Sequence, residues 1–201
     1  MNHIPVLKNE IVECFDYLEK ISDGFFVDGT VGEGNHSIAI AERYNNQDTI
    51  TKFIGIDKDQ TALGLAKKNI REMGLYDKFI LVHDDYKNIK NILSNLLPHP
   101  TSPYQGEEKI DGALLDLGVS SMQLDQKDRG FSFSDPNARL DMRMDQSQKL
   151  DAIAVVNHYP EEKLEKILRE FGDEKFSRKI ARNICIIRKN KHIETVADLI
   201  W

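Results

Sequence analysis

The residues of this chain best suited to chemistry are carboxylates and polar turns that end apolar runs. Ala113-Leu114-Leu115 stops at Asp116, and Leu117-Gly118-Val119-Ser120-Ser121-Met122-Gln123 follows at once. Apolar residues, then a carboxylate, glycine and serine, describe a buried parallel strand that ends at a site. Stability gives no reason for an aspartate there, since a buried carboxylate is costly unless paired or bound. The pattern recurs upstream. Gly24–Val27 runs into Asp28-Gly29-Thr30-Val31-Gly32-Glu33-Gly34-Asn35-His36, Phe53–Ile56 into Asp57, and Phe79–Val82 into His83-Asp84-Asp85-Tyr86.

Each run end suggests a task. Glycines let backbone approach a ligand closely, and the helix after such a turn offers N–H groups, although many strand-to-helix turns need glycine for its own sake. Asp57 follows Gly34 by 23 residues. A carboxylate there offers two acceptors to two ribose hydroxyls. It could instead cap the next helix, but Asp59 suits that better. Turn and acid together favour a nucleoside. His83–Tyr86 could hold a base edge against the Tyr86 ring, or equally cap a helix over a buried tyrosine. A nicotinamide dehydrogenase would share the first two features, but nothing here suggests hydride transfer.

The elements that must position these residues alternate through residue 116. The expected strands are Gly24–Val27, Phe53–Ile56, Phe79–Val82 and Ile110–Leu115. The expected helices between them are His36–Tyr44, Thr61–Met73, capped by Asp59 and stopped by Gly74, and Asn88–Leu97. Such alternation means βαβ units, an α/β class and a parallel sheet. Pro98–Glu108 reads as a surface loop. After Asp125 strand-like runs fade. Helical patterns appear at Leu150–Val156, Glu161–Phe171, Lys175–Arg188 and Val196–Trp201. Two have apolar faces, Leu164, Ile167, Leu168 and Phe171 on one, and Phe176, Ile180, Ile184 and Ile187 on the other.

The 201 residues suffice for one domain plus an appendage, and Cys14 and Cys185 form no metal or disulfide pattern. A cytoplasmic protein is expected, with no metal, no signal peptide and no membrane span. The net charge of −6 is unevenly spread. Lys175–His192 holds seven Lys and Arg and no acid, leaving −13 elsewhere. That stretch could grip nucleic acid or simply be a solvated helix face.

The spacing of Asp28 and Gly34 resembles the first motif of class I S-adenosylmethionine-dependent methyltransferases. The match becomes specific with H-I-P-V-L-K-N-E at His3–Glu10, D-G-T-V-G-E-G-N-H-S at Asp28–Ser37, L-L-D-L-G-V-S-S-M-Q-L-D at Leu114–Asp125, R-G-F-S-F at Arg129–Phe133 and L-D-M-R-M at Leu140–Met144, with F-G-D-E-K-F-S-R-K-I-A-R at Phe171–Arg182. In this order they closely resemble the bacterial 16S rRNA cytosine-N4 methyltransferase family (RsmH/MraW).

The resemblance implies a Rossmann-like class I methyltransferase sheet with a mostly helical inserted module, divided as residues 1–124 and 125–201. It implies transfer of a methyl group from S-adenosyl-L-methionine to a cytosine amine in the decoding region of 16S rRNA in the small ribosomal subunit. The cofactor positions carried over are Gly34, Asn35, His36, Asp57, Tyr86, Asp116 and Gln123. The family more often has Gly at Asn35 and Phe at Tyr86. Asp116 or the Leu117 carbonyl would hold the amine N–H groups. Expected RNA contacts are Arg129, Phe131, Phe133, Arg143, Arg178, Lys179 and Arg182. The phenylalanines could instead pack their own loop, and Arg129, Arg139 and Arg143 could pair with Asp135, Asp141 or Asp145. The family's later segment returns to the sheet, so the chain is expected to be a C-terminally truncated member. Its sheet would be unfinished, with strand four an exposed edge and methylation weak. The competing expectation is a non-catalytic member that binds cofactor or RNA without turnover.

Overall fold

A computed structural model describes residues 7–21, 24–44, 52–96 and 110–200. The Pro98–Glu108 loop, the His3–Val6 part of the first motif and Trp201 lie outside the described residues. The chain forms two compact units, Met1–Gly118 and Val119–Trp201. The division falls six residues before the expected one.

In the first unit, β1 (Phe25–Asp28), β2 (Lys52–Asp57), β3 (Phe79–His83) and β4 (Gly112–Leu114) form a parallel sheet of order β3-β2-β1-β4. The helices are α1 (Lys8–Cys14), α2 (Asn35–Arg43), α3 (Gln60–Glu72) and α4 (Ile89–Leu96). The α/β class and parallel sheet are as expected, with α1 an addition. Alternation sorts the strand residues by face. Phe26, Phe53 and Phe79 are register partners, with ring centroids 5.3 and 5.0 Å apart. This aromatic row joins Ile38, Ile40, Ala66 and Ile70 in one core. Val27, Ile54 and Ile56 form the other face with Ile92 of α4. Aromatic pairs of this kind add about 0.5–1.5 kcal/mol each beyond the area they bury.

α3 begins as its sequence dictates. The Asp59 carboxylate accepts from Thr61 N–H at 3.0 Å, and Ala62, Leu63, Ala66 and Ile70 face inward. Gly74, at φ +70°, follows its C-cap. β4 is shorter than expected, and Asp116 lies two residues beyond it. Among the described residues β4 is an edge strand, paired only with β1.

The second unit contains α5 (Ser121–Asp125), α6 (Ala152–His158), α7 (Glu161–Gly172), α8 (Ser177–Ile187) and α9 (Val196–Ile200). Leu140, Ile153, Val156, Leu164, Ala181, Ile184, Ile193 and Val196 make its core. The expected apolar faces hold for Leu164, Leu168, Ile180, Ile184 and Ile187 but not for Phe171 and Phe176, which are exposed. Among the described residues no helix is long and apolar enough to cross a membrane.

Candidate functional site

Parallel strands put their carboxyl ends on one edge, and register makes that edge a row. Asp28 pairs with Gly55 and Leu114, and Asp57 with His83. The chain runs from β1 through β2 to β3 on one side, then places β4 on the other side of β1. Order therefore reverses between β1 and β4, the switch point where open α/β sheets bind ligands. The glycine turn leaves β1 there and Asp116 follows β4.

Hydrogen bonds tie the row together. Asp57 Oδ2 accepts from Gly32 N–H at 2.8 Å, and its Oδ1 from Asp59 N–H at 2.8 Å. Burial raises the Asp57 pKa, against the lowering by these two bonds. Val31 N–H donates to Ile56 O at 3.0 Å, and Asp84 N–H to Asp57 O at 3.1 Å. The turn, the β2 acid and the β3 end are thus one bonded assembly.

Glycine shapes the turn at two positions. Gly34 has φ +85° and is the N-cap of α2, so Asn35 and His36 open the helix. A Cβ on Gly29 would overlap Leu115 and lie 3.2 Å from Tyr86 Cβ. The bare backbone lets Tyr86 and Leu115 lie close over the turn. Tyr86 itself is partly exposed, at the start of a single 3₁₀ turn.

Asp116 is well exposed, its side chain at 64%. Its backbone N–H donates to Thr30 Oγ1 at 2.7 Å, and its carboxylate lies 3.9 Å from His36 Nδ1. Thr30 N–H in turn donates to Asp28 Oδ1 at 3.0 Å, and Ser37 Oγ to Asp28 Oδ2 at 2.6 Å. Asp28 is 2% exposed, and its pKa is pushed up to about 6, mainly by burial. Asp28 and Thr30 stand in the turn that the sequence singles out, but the sequence assigns no role to either or to Ser37. Asp28 ends β1, and the hydroxyl two residues on is the signal for the bond.

The first unit thus gathers Gly34, Asn35, His36, Asp57, Tyr86 and Asp116 along one edge. Gln123 belongs to the second unit. It is buried and forms a capping box at the start of α5, with Ser120 Oγ accepting from Gln123 N–H at 3.2 Å and Gln123 Oε1 from Ser120 N–H at 3.1 Å. The S-x-x-Q pattern carries that cap in the sequence.

The expected RNA contacts divide sharply. Arg129 is 2% exposed, and its Nη2 donates to the Arg143 and Met144 carbonyls at 2.8 and 2.9 Å. Its guanidinium lies 5.9 Å from the half-buried Phe131 ring. Arg143 makes a bidentate pair with Asp141 at 2.8 and 2.6 Å and holds the Gln146 and Gln148 carbonyls. That pair lowers the Asp141 pKa and raises that of Arg143. Arg139 pairs with Asp151 at 3.1 Å. These arginines brace the loop between α5 and α6 instead of presenting free charge. Phe133, Arg178, Lys179 and Arg182 are exposed.

Residues 1–200 match the model of the MraW methylase family. The chain belongs to that family. Among its relatives is a protein of Finegoldia magna named ribosomal RNA small subunit methyltransferase H, 44% identical over 98% of this chain and 57% of its own length. One of the same name from Caldicellulosiruptor bescii is 44% identical over 98% of this chain and 58% of its own. The chain therefore spans a little under three fifths of these family members. An rRNA methylase structure from Streptococcus thermophilus aligns over 56% of this chain and 51% of its own, at 21% identity and a TM-score of 0.37. The fold seen in this family member is the four-stranded parallel sheet with its switch point between β1 and β4.

Proposed function

We propose that this chain acts in methylation of small-subunit ribosomal RNA, moving a methyl group from S-adenosyl-L-methionine to the N4 amine of a cytosine in the decoding region of 16S rRNA. The observation that carries the reading is the bonded row at the sheet edge, with an acid on β2 tied to a glycine turn and a second acid at the switch point. The relatives' names support rRNA as the substrate class.

The residues fit a nucleoside-bearing methyl donor. Each Asp57 oxygen accepts one N–H and keeps lone-pair capacity for a ribose hydroxyl. The bare backbone at Gly29 and the left-handed Gly34 leave room for close approach, and Tyr86 supplies an apolar wall for the base. Gly34, Asn35 and His36 present the first turn of α2 to the rest of the ligand, with Gln123 assigned to the cofactor by resemblance alone. When bound, S-adenosyl-L-methionine supplies a methyl group already activated by its sulfonium.

What remains for the protein is alignment. The lone pair of a cytosine amine is delocalised into the ring, so the amine is a weak nucleophile. Asp116 accepts its N–H and turns the lone pair toward the methyl. The Thr30 hydroxyl fixes the backbone from which Asp116 projects. The target base leaves its stack to reach the strand ends. Phe133 is exposed and offers an aromatic face to RNA. Arg178, Lys179 and Arg182 contact phosphate. The RNA substrate places the reaction in the cytoplasm.

The test is transfer of labelled methyl to small-subunit rRNA by the chain extended to its relatives' length, with digestion to nucleosides. N4-methylcytidine is expected, falling at least tenfold in Asp116→Ala, as for loss of a positioning acceptor. Label on another atom overturns the substrate assignment, and full turnover by Asp116→Ala overturns its role.

A further inference from the structure

Phe171 and Phe176 stand at the two ends of the turn between α7 and α8, exposed at 84% and 69%. Burying a phenylalanine side chain stabilises a fold by about 1.5–3 kcal/mol. Folding therefore gives no reason to leave two rings in solvent. Nor is the corner loose. Asp173 takes the left-handed conformation, at φ +47°, and Glu174 N–H closes onto Leu168 O at 3.1 Å. Glu174 Oε1 accepts from Phe176 N–H at 2.7 Å, Glu174 O accepts from Ser177 N–H at 3.2 Å, and Ser177 is buried. The rings are carried on a braced turn.

The helix that follows is basic in one direction. At 3.6 residues per turn, Arg178, Lys179, Arg182 and Ile186 fall within a stripe about 100° wide, and all four are exposed. Lys175 and Lys189 extend it at either end. On α7 Lys166 is matched with Glu170 and Arg169 with Glu165, and Lys163 lies over the Tyr159 ring at 3.7 Å. Arg188 is occupied by the Val156 and Tyr159 carbonyls, and Lys191 by Asp198. Among the described residues Arg178, Lys179 and Arg182 have no ion pair. Unmatched cations side by side in a chain of net charge −6 complement a polyanion.

We propose that the α7–α8 corner and the basic face of α8 form a docking platform for single-stranded RNA, with Phe171 and Phe176 stacking on bases and the α8 cations following the backbone. The proposal rests on the RNA reading above and narrows it. A duplex would use the cations alone, because its base faces are already stacked. Unpaired nucleotides offer phosphate and open π-faces together, and base–aromatic stacking contributes about 1–3 kcal/mol per base. The partner is thus an unpaired RNA segment.

Fluorescence anisotropy with a short labelled single-stranded RNA and a duplex of matching length, at several salt concentrations, tests this on the whole chain. Wild type should prefer the single strand. Phe171→Ala and Phe176→Ala should each lose about fivefold or more on the single strand, with little change on duplex and an unchanged salt slope. Phe176→Trp should retain binding and Phe176→Leu should not, which separates stacking from apolar packing. The double variant Arg178→Ala, Arg182→Ala should flatten the salt slope by about 1.4, as two lost phosphate contacts require. Both rings are exposed, so unchanged thermal melting is expected of the Phe variants.

Phe variants that bind like wild type, with the Arg effect intact, would overturn the platform and leave the RNA reading standing. A wild-type dimer dissociated by Phe176→Ala would also overturn it, in favour of a second copy of the chain. No wild-type binding to either RNA would overturn the platform and the RNA reading together.

Discussion

At the scale of single residues, the carboxylates of the sheet edge divide the work by burial. Asp116 is in water, Asp57 is half-buried and bonded, and Asp28 is almost fully enclosed. Asp28 is the anchor, because the Thr30 and Ser37 bonds that shape the turn converge on it. Its cost is visible in its pKa, raised from 3.8 to about 6. A raised acid binds its proton more tightly in the folded state. It contributes stability that is fully present below pH 3.8 and lost as pH rises through about 6. Asp28→Asn keeps one acceptor and mimics the protonated acid. Thermal melting of both forms should therefore give a difference that grows in the variant's favour between those two pH values, by ~3 kcal/mol at most. A difference constant with pH would show that Asp28 does not titrate in that window.

At the scale of elements, Arg129 shows what a sequence position can conceal. R-G-F-S-F reads equally as a phosphate contact or as loop packing, because a motif does not reveal depth. The structure buries the guanidinium among carbonyls from residues 14 and 15 positions along the chain. Arg129→Ala should thus cost about 1–3 kcal/mol, through unpaired carbonyls and lost packing. Denaturant unfolding measures this. Unchanged stability with weaker RNA binding would return Arg129 to the surface role. The strands, the Asp59 cap and the Gly74 stop were legible, since each depends on neighbours in sequence. The end of β4 was not, because pairing with β1 alone sets it. Phe171 and Phe176 have the helical spacing of core residues, and only tertiary packing reveals that nothing covers them. Gln123 is a cofactor position by resemblance, while its side chain closes the capping box at the start of α5.

At the scale of the whole molecule, an acidic α/β unit carries the strand-end row, and a helical unit carries an uncompensated basic face. That division suits two kinds of ligand, a nucleoside at the sheet edge and a polyanion on the helices. Family membership makes the pairing coherent, and the sheet's switch point explains why Asp57 and Asp116 share one edge despite lying far apart in sequence. We propose that this edge holds S-adenosyl-L-methionine through Asp57, which calorimetric titration of the chain with S-adenosyl-L-methionine, alongside Asp57→Ala, can measure. One site per chain is expected, with a loss of about tenfold to a hundredfold in the variant, the worth of hydrogen bonds to a charged acceptor. Absent binding by the wild-type chain, or equal affinity in Asp57→Ala, would contradict it.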